Sequence, residues 1–246
     1  MHYYLETIET LFLPYQHIWI YAALFYLCFV FGVSFRKNNS AVLVFFQSLW
    51  NLCLSIFSCM GLYVLGSYAY ETVEMWGLES LINHHKKVWD YQANEVVWRW
   101  TKYFIISKIP ELLDTVFLKL KGKEPIFLQW FHHVVTMIYA YYIGVLPQYR
   151  NIGFILALMN YSVHSVMYLY FAIHPLLGKK SIIRKYAFII TYLQTIQMFC
   201  ALFSYTYSYV VLGFDFDHFG FGMYCCYAFC FTKLLLSKIS GKKKVE

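Results

Sequence analysis

Six long apolar stretches dominate the sequence and limit the folds that are open to it. They cover residues 18–35, 41–66, 126–146, 150–174, 185–212 and 219–237. A helix that crosses a bilayer needs about 20 mostly apolar residues, so each stretch is a candidate membrane span. The composition agrees, because 60% of the residues are hydrophobic and only 13% are charged. A soluble domain carries about 25% charged residues, so the composition argues strongly against a soluble enzyme.

A seventh segment, 98–118, is less apolar because it contains five ionisable residues: Arg99, Lys102, Lys108, Glu111 and Asp114. The charges of the loops decide whether this segment crosses the membrane. If it does, loops with an excess of two or more Lys and Arg residues alternate along the whole chain with loops that have an excess of at most one, which is Arg150 in the turn 147–150. The positive-inside rule then places the N-terminus in the lumen and the C-terminus in the cytosol. The net charge of +7 is therefore a signal of topology, and nucleic-acid binding is not expected.

The expected fold is an all-α membrane protein with seven transmembrane helices. It forms one polytopic domain over residues 1–246, because no internal repeat, linker or low-complexity segment divides the chain. Residues 1–17 are expected to form a lumenal tail, residues 18–237 the seven spans, and residues 238–246 a cytosolic tail.

Four polar clusters lie inside the predicted spans, where ionisable side chains are costly and mark candidate functional sites. The first contains Lys108, Glu111 and Asp114, and Pro110 is expected to break or kink the helix there. Glu111 and Asp114 are three residues apart and share a helix face, and Lys108 can neutralise one of them. A structural ion network and a functional site are equally compatible with this pattern.

The second cluster consists of Gln129, His132 and His133. These residues are spaced i, i+3 and i+4, so all three line one face of a helix. Two adjacent histidines with an amide one turn earlier, in a helix that is otherwise free of charge, favour a functional site over simple packing.

The third and fourth clusters repeat along their helices. The repeat is every four residues in Asn160, His164 and Tyr168, and every three residues in Thr191, Gln194 and Gln197. Such residues commonly form hydrogen bonds between helices and have no other role. For five of these six residues a structural role of this kind and a functional role are both possible. His164 is the strongest functional candidate.

All four clusters are predicted at one depth, in the cytosolic half of the membrane. The lumenal halves of the spans contain aromatic residues and almost no charge. This distribution predicts a reactive chamber that opens toward the cytosol, with an apolar dead end behind it. Such a shape suits a substrate with a polar head and a long acyl tail, and the basic cytosolic loops would attract an anionic head group.

In this order and spacing, the clusters resemble the motifs of the very-long-chain fatty-acid elongase family, the condensing enzymes of the endoplasmic reticulum. The family's KxxExxDT motif is matched by Lys108, Glu111, Asp114 and Thr115. Its HxxHH box is matched by His132 and His133, with Gln129 in place of the first histidine. Its HxxMYxYY motif is matched by His164, Met167, Tyr168 and Tyr170, with Phe171 at the last position. Its TxxQxxQ motif is matched by Thr191, Gln194 and Gln197.

The resemblance implies a fold in which spans two to seven form a six-helix barrel around a narrow acyl tunnel, with the first span outside. It also implies a reaction that joins a long-chain acyl-CoA with malonyl-CoA to give 3-ketoacyl-CoA, CoA and carbon dioxide. Malonyl-CoA is then a co-substrate, and no bound cofactor or metal is expected. Residues 159–164 look most like the branch that elongates saturated and monounsaturated acyl chains.

The resemblance also implies roles for the polar residues. His132 would be the nucleophile, His164 would orient the malonyl unit or stabilise its enolate, and His133 would orient a neighbour. A supporting or substrate-binding role is expected for Lys108, Glu111, Asp114, Gln129, Asn160, Tyr168, Gln194 and Gln197. Gln129 does not titrate, so an acid–base role is not expected there, but its amide can hydrogen-bond His133 or a carbonyl.

Lys243 and Lys244, fourth and third from the end of the sequence, fit a dilysine retrieval signal of the endoplasmic reticulum. The alternative is an ordinary basic flank of the last span. The expected partners are the lipid bilayer and the ketoreductase, dehydratase and enoyl reductase of the elongation cycle.

Two other functions fit parts of the pattern. A membrane di-iron desaturase or hydroxylase also carries histidine boxes, but it needs about eight histidine ligands, and only His132, His133 and His164 lie well inside the predicted spans. A seven-span receptor or transporter fits the number of spans, but not the paired histidines and intramembrane carboxylates.

Overall fold

The computed structural model describes residues 15–38, 40–81, 94–145, 150–177, 186–213 and 215–240. Within these residues the chain is helical and contains no strand. The helices are α1 Gln16–Gly32, α2 Ala41–Trp76, α3 Glu95–Ser107, α4 Leu113–Leu120, α5 Phe127–Val145, α6 Arg150–Ile173, α7 Ala187–Val210 and α8 His218–Ile239. Short 3-10 turns cover Leu78–Leu81 and Pro110–Leu112. Lys243 and Lys244 lie outside the described residues.

Four helices in the described part of the chain are long and apolar enough to cross a membrane. They are α2, the Ile152–Ile173 part of α6, α7 and α8, while α1 is a shorter apolar helix. The prediction of an all-α, multi-pass membrane protein is therefore confirmed. Each of the seven predicted segments also contains helix, although α2 continues to Trp76 and not to residue 66.

The segment 98–118, predicted as one span, is interrupted in the middle. Helix α3 ends at Ser107, a 3-10 turn follows, and α4 begins at Leu113. Pro110 causes this interruption, because it has no backbone N–H and its ring excludes a regular helical hydrogen bond. The predicted break at Pro110 is thus confirmed, and it orients Lys108 and Glu111 toward each other.

Contacts between helices run in a closed circuit. In order, α2 packs on α6, α6 on α7, α7 on α8, α8 on α5, α5 on α3, and α3 on α2. The contact between α2 and α6 is the most extensive. It needs a glycine, because a Cβ at Gly61 would collide with the ring of Tyr161 on α6.

Helix α1 packs against α5 and is tied to α4 by polar contacts. The hydroxyl of Tyr26 hydrogen-bonds the hydroxyl of Thr115 over 2.8 Å. The ammonium group of Lys119 donates to the carbonyl of Val30 over 2.6 Å, in the last turn of α1, where carbonyls lack helical partners. These bonds fix α1 beside the interrupted segment that carries the first polar cluster.

Candidate active site

A cavity of about 330 Å³ lies between α2, α4, α5, α6, α7 and α8. Members of all four polar clusters line it: Glu111, Asp114, Gln129, His132, His133, His164, Tyr168 and Gln194. The structure therefore brings together four motifs that lie far apart in the sequence. Lys108 and Asn160 are buried behind this lining, and Gln197 is buried in α7 without lining the cavity.

Lys108 and Glu111 form a buried ion pair at the interruption after α3. The Nζ atom of Lys108 donates to Oε1 and Oε2 of Glu111, over 2.8 and 3.1 Å. The hydroxyl of Ser107 donates to Oε1 over 2.9 Å. Nζ also lies 4.2 Å from the ring centroid of Phe104. This dense set of contacts offsets the desolvation of two charges inside the protein.

Lys108 continues into a hydrogen-bond relay that ends on His164. Its Nζ donates to Oδ1 of Asn160 over 3.0 Å, and Nδ2 of Asn160 lies 3.1 Å from Nε2 of His164. An ammonium group only donates, so the amide oxygen must face Lys108 and the amide NH2 must face His164. Nε2 of His164 is then an acceptor, and the neutral ring carries its proton on Nδ1. Nδ1 has no hydrogen-bond partner among the described residues, and the ring belongs to the cavity lining, so this N–H is free to bind a group in the cavity.

Two neutral donors hold the carboxylate of Asp114. Trp50 on α2 donates its indole N–H to Oδ1 over 2.9 Å, and the hydroxyl of Tyr168 on α6 donates to Oδ2 over 2.9 Å. The ring of Tyr168 stands perpendicular to that of His164, with 5.1 Å between the ring centroids. Asp114 therefore fixes the position of Tyr168, which in turn packs against His164.

His132 and His133 lie side by side on α5, with 6.0 Å between their ring centroids. The ring of His132 packs on that of Tyr227 from α8 at 4.8 Å, and its Nδ1 lies 3.4 Å from the hydroxyl of Thr136. His133 packs near Tyr26 of α1, at 6.4 Å. Within the described residues, Gln129 and His133 make no side-chain hydrogen bond, so the contact allowed by the sequence between them is not formed.

Helix α2 contributes cavity residues that the motifs do not include. Gln47 and Asn51 both line the cavity, and Lys121 from the basic segment after α4 donates to Oε1 of Gln47. These are polar residues in an apolar helix, so the rule applied to the other clusters would have found them. Trp50 and Tyr227 had no such signal, because aromatic residues make up 22% of the chain.

A second, apolar cavity of about 40 Å³ lies next to the first. Its walls include Trp98, Ile105, Ala140, Leu156 and Tyr224, together with Thr136. Thr136 also reaches the Nδ1 atom of His132, which lines the first cavity. The two cavities are thus neighbours along α5, with the polar groups on one side and apolar walls on the other.

Comparison with known proteins gives one family and several relatives. The profile of the GNS1/SUR4 (ELO) family matches residues 11–244. Fatty acid elongase 2 of Trypanosoma cruzi is 36% identical over 178 residues, which cover 72% of this chain and 62% of the relative. Fatty acid elongase 1 of Trypanosoma brucei brucei is 41% identical over 150 residues, 61% of this chain and 48% of the relative. Fatty acid elongase 2 of the same organism is 33% identical over 230 residues, 87% of this chain and 83% of the relative. No solved structure matches this chain.

Proposed function

Since this chain belongs to the GNS1/SUR4 (ELO) family, we propose that it is the condensing enzyme of fatty-acid elongation. It joins a long-chain acyl-CoA with malonyl-CoA to give 3-ketoacyl-CoA, CoA and carbon dioxide. The observation that carries this proposal is the cavity in which His132, His133 and His164 meet the carboxylates of Glu111, which is buried, and Asp114, which is half-buried. The names of the relatives, which are fatty acid elongases, support the same reaction.

In the first step, Nε2 of His132 attacks the thioester carbonyl of the acyl-CoA. The bond between nitrogen and the acyl carbon forms, the C–S bond breaks, and coenzyme A leaves as the thiolate. The acylated imidazole carries a positive charge, since its other nitrogen keeps a proton. An imidazole suits this step because it is both a nucleophile and a good leaving group.

In the second step, malonyl-CoA loses carbon dioxide and the resulting enolate carbon attacks the acyl group. A C–C bond forms, the bond between Nε2 of His132 and the acyl carbon breaks, and His132 returns to its neutral state. The Nδ1–H of His164 is suited to stabilise the enolate oxygen, because a donor already oriented by Asn160 needs no reorganisation. His133 is assigned to orienting a neighbouring group, and no bound cofactor or metal takes part.

The acyl chain would extend from the histidines into the apolar second cavity. The closed circuit of α2, α3, α5, α6, α7 and α8 supports a six-helix barrel around a narrow tunnel, with α1 outside, as part of a seven-span fold. We propose saturated and monounsaturated chains as substrates, in line with residues 159–164.

For its location, we propose the membrane of the endoplasmic reticulum, with a lumenal N-terminus and a cytosolic C-terminus. Lys243 and Lys244 would act as a retrieval signal. The ketoreductase, dehydratase and enoyl reductase of the elongation cycle are the proposed partners, since each consumes the product of the preceding enzyme. Neither the di-iron enzyme nor the seven-span receptor or transporter is favoured by the family match.

The direct test is product analysis with a series of acyl-CoAs and labelled malonyl-CoA. The full-length protein is purified and reconstituted into lipid membranes for this assay. We expect labelled 3-ketoacyl-CoA two carbons longer than the acyl-CoA supplied. We expect no labelled product when either the acyl-CoA or the malonyl-CoA is omitted. Stoichiometric iron in the purified protein, with no such product, would support the di-iron alternative.

Gln129→His is expected to retain most of the activity. Gln129 lines the cavity without a side-chain partner among the described residues, so a histidine, the residue of the family motif, replaces no existing hydrogen bond. The measurement is the rate of 3-ketoacyl-CoA formation against the unmodified protein. Complete inactivity would show that the cavity depends on the amide itself.

Ala140→Phe is expected to shift the substrate preference toward shorter acyl chains. Ala140 is buried and lines the second cavity, which a phenyl ring would fill. Ile138→Phe is the matched control, because Ile138 lies on the same helix with 41% of its surface exposed. Product lengths from a mixture of acyl-CoAs measure the effect, and identical product profiles in the two variants would contradict a tunnel through this cavity.

A further inference from the structure

His132 has a polar support that none of the sequence motifs contains. The hydroxyl of Thr136 lies 3.4 Å from Nδ1 of His132 and 2.9 Å from the hydroxyl of Tyr227. The hydroxyl of Tyr227 donates back to the backbone carbonyl of His132 over 3.3 Å. These three contacts form a closed loop between α5 and α8 directly behind the imidazole.

The number of protons in this loop determines where the proton of the ring lies. Three hydrogen bonds need three protons, and the two hydroxyls of Thr136 and Tyr227 supply only two. The carbonyl of His132 supplies none, so the third proton must be on Nδ1. If Nδ1 carried a lone pair instead, one contact of the loop would place two oxygen or nitrogen lone pairs against each other.

We propose that Thr136 and Tyr227 are positioning residues that hold His132 with its proton on Nδ1. Nδ1–H then donates to Thr136, Thr136 donates to Tyr227, and Tyr227 donates to the carbonyl of His132. Nε2 is left with a lone pair and has no partner among the described residues, on a ring that lines the cavity. That this lone pair is the nucleophile rests on the function proposed above.

The fold is suited to this task because both supports are fixed in place. Thr136 lies one helical turn after His132 on α5, so its hydroxyl is on the same face as the imidazole. Tyr227 is only 1% exposed, and its ring packs on that of His132 at 4.8 Å and near that of Phe131 at 6.0 Å. A tyrosine held on both sides cannot swing its hydroxyl away without disturbing the contact between α5 and α8.

The loop also explains how two histidines in one cavity take different tasks. Asn160 leaves His164 with its proton on Nδ1, an unpaired donor among the described residues on a ring that lines the cavity. His132 carries its proton on the same ring atom, but Thr136 occupies that side, so the cavity receives the bare Nε2. One cavity thus contains one imidazole that offers a lone pair and one that offers an N–H. Once Nε2 of His132 is acylated, Thr136 faces the positively charged ring with a hydroxyl oxygen, which favours that charge.

The test is NMR spectroscopy of the full chain in detergent micelles with ¹⁵N-labelled histidine. Long-range ¹H–¹⁵N correlations distinguish a protonated ring nitrogen from a bare one, and the signal that disappears in His132→Gln assigns His132 among the 9 histidines. We expect Nδ1 of His132 to be protonated in the unmodified protein. Thr136→Val, which keeps the shape but not the hydroxyl, should move the proton to Nε2. Tyr227→Phe should do the same, because Thr136 would then turn its own proton toward Nδ1.

Activity gives a second readout. Thr136→Val is expected to lower kcat on the order of tenfold with little change in KM, as is typical for loss of a group that orients a functional histidine. Thr136→Ser, which keeps the hydroxyl, should restore both kcat and the Nδ1 proton. Thr195→Val is the matched control, since Thr195 is buried and its hydroxyl donates to the carbonyl of Thr191 on its own helix, α7, over 2.7 Å.

A protonated Nε2 in the unmodified protein would overturn the proposal, and so would an unchanged proton position in Thr136→Val and Tyr227→Phe. The NMR measurement needs no turnover, so it separates this proposal from the proposed function. A protein with the expected Nδ1 proton but no elongation product would refute the function and leave the tautomer established.

Discussion

His132→Ala is expected to abolish formation of 3-ketoacyl-CoA. Removal of the nucleophile in other enzymes with covalent intermediates reduces kcat by more than about a thousandfold, and no group in this cavity is placed to replace Nε2 in the same way. His133 lies 6.0 Å away between ring centroids and packs toward Tyr26, without the hydroxyl support that Thr136 gives to His132. The rate with saturating acyl-CoA and malonyl-CoA is the measurement.

A second measurement identifies the covalent step itself. With acyl-CoA alone, the intact mass of the unmodified protein should increase by one acyl group, and His132→Ala should show no increase. His17→Ala is the matched control, because His17 lies exposed on α1, where its ring faces that of Tyr21 with 6.1 Å between the centroids, and it does not line the cavity. Full activity in His132→Ala would refute the role of His132 as nucleophile. An acyl adduct on another histidine would show that this other histidine is the nucleophile.

Much of the site could be predicted from the sequence because polar residues stand out in an apolar chain. The interruption at Pro110, the pairing of Lys108 with one of its two neighbouring carboxylates, and the shared cavity of the four clusters follow from local spacing and from the high free energy of an unpaired charge in a membrane. The structure shows that the paired carboxylate is that of Glu111. These inferences need only the geometry of single helices and the equal depth of the four clusters in the membrane.

The supports of the site could not be predicted, since they depend on contacts between distant helices. Trp50 and Asp114 are 64 residues apart, and His132 and Tyr227 are 95 residues apart. Nothing in the sequence distinguishes Trp50 or Tyr227 from the aromatic residues that face lipid. The same holds for Thr136, because a single threonine in an apolar helix does not indicate a contact with another helix.

Gln197 illustrates the limit of a spacing argument. A step of three residues falls short of a full helical turn by about 60°, so residues repeated every three positions rotate steadily around the helix. Gln194 reaches the cavity and donates to the sulfur of Met167 over 3.2 Å. Gln197, one step further, is turned away from the cavity lining and into the protein. A supporting role for Gln197 stays a prediction, and it would act through packing between helices.

Lys108→Met is expected to destabilise the protein strongly. Removing one partner of a buried ion pair leaves an uncompensated charge and typically costs about 3–5 kcal/mol. Among the described residues, the carboxylate of Glu111 would keep one hydrogen bond, from the hydroxyl of Ser107, and Asn160 would lose the donor that fixes the orientation of its amide. The midpoint of thermal unfolding in detergent measures the effect, with Arg99→Gln as the control. The ion pair of Arg99 with Glu95 is exposed, and exposed pairs contribute about 0–1 kcal/mol.

The double variant Lys108→Met with Glu111→Gln separates stability from catalysis. It removes both charges, so most of the stability lost in Lys108→Met should return, because a neutral amide is far less costly to bury than a carboxylate. Activity should not return, since Asn160 is then free to rotate and His164 no longer holds its proton on Nδ1 toward the cavity. A double variant that is both stable and fully active would show that Lys108 serves only to neutralise Glu111. A double variant as unstable as Lys108→Met would show that the contacts of Lys108 with Asn160 and Phe104 stabilise the fold, and that the charge balance does not.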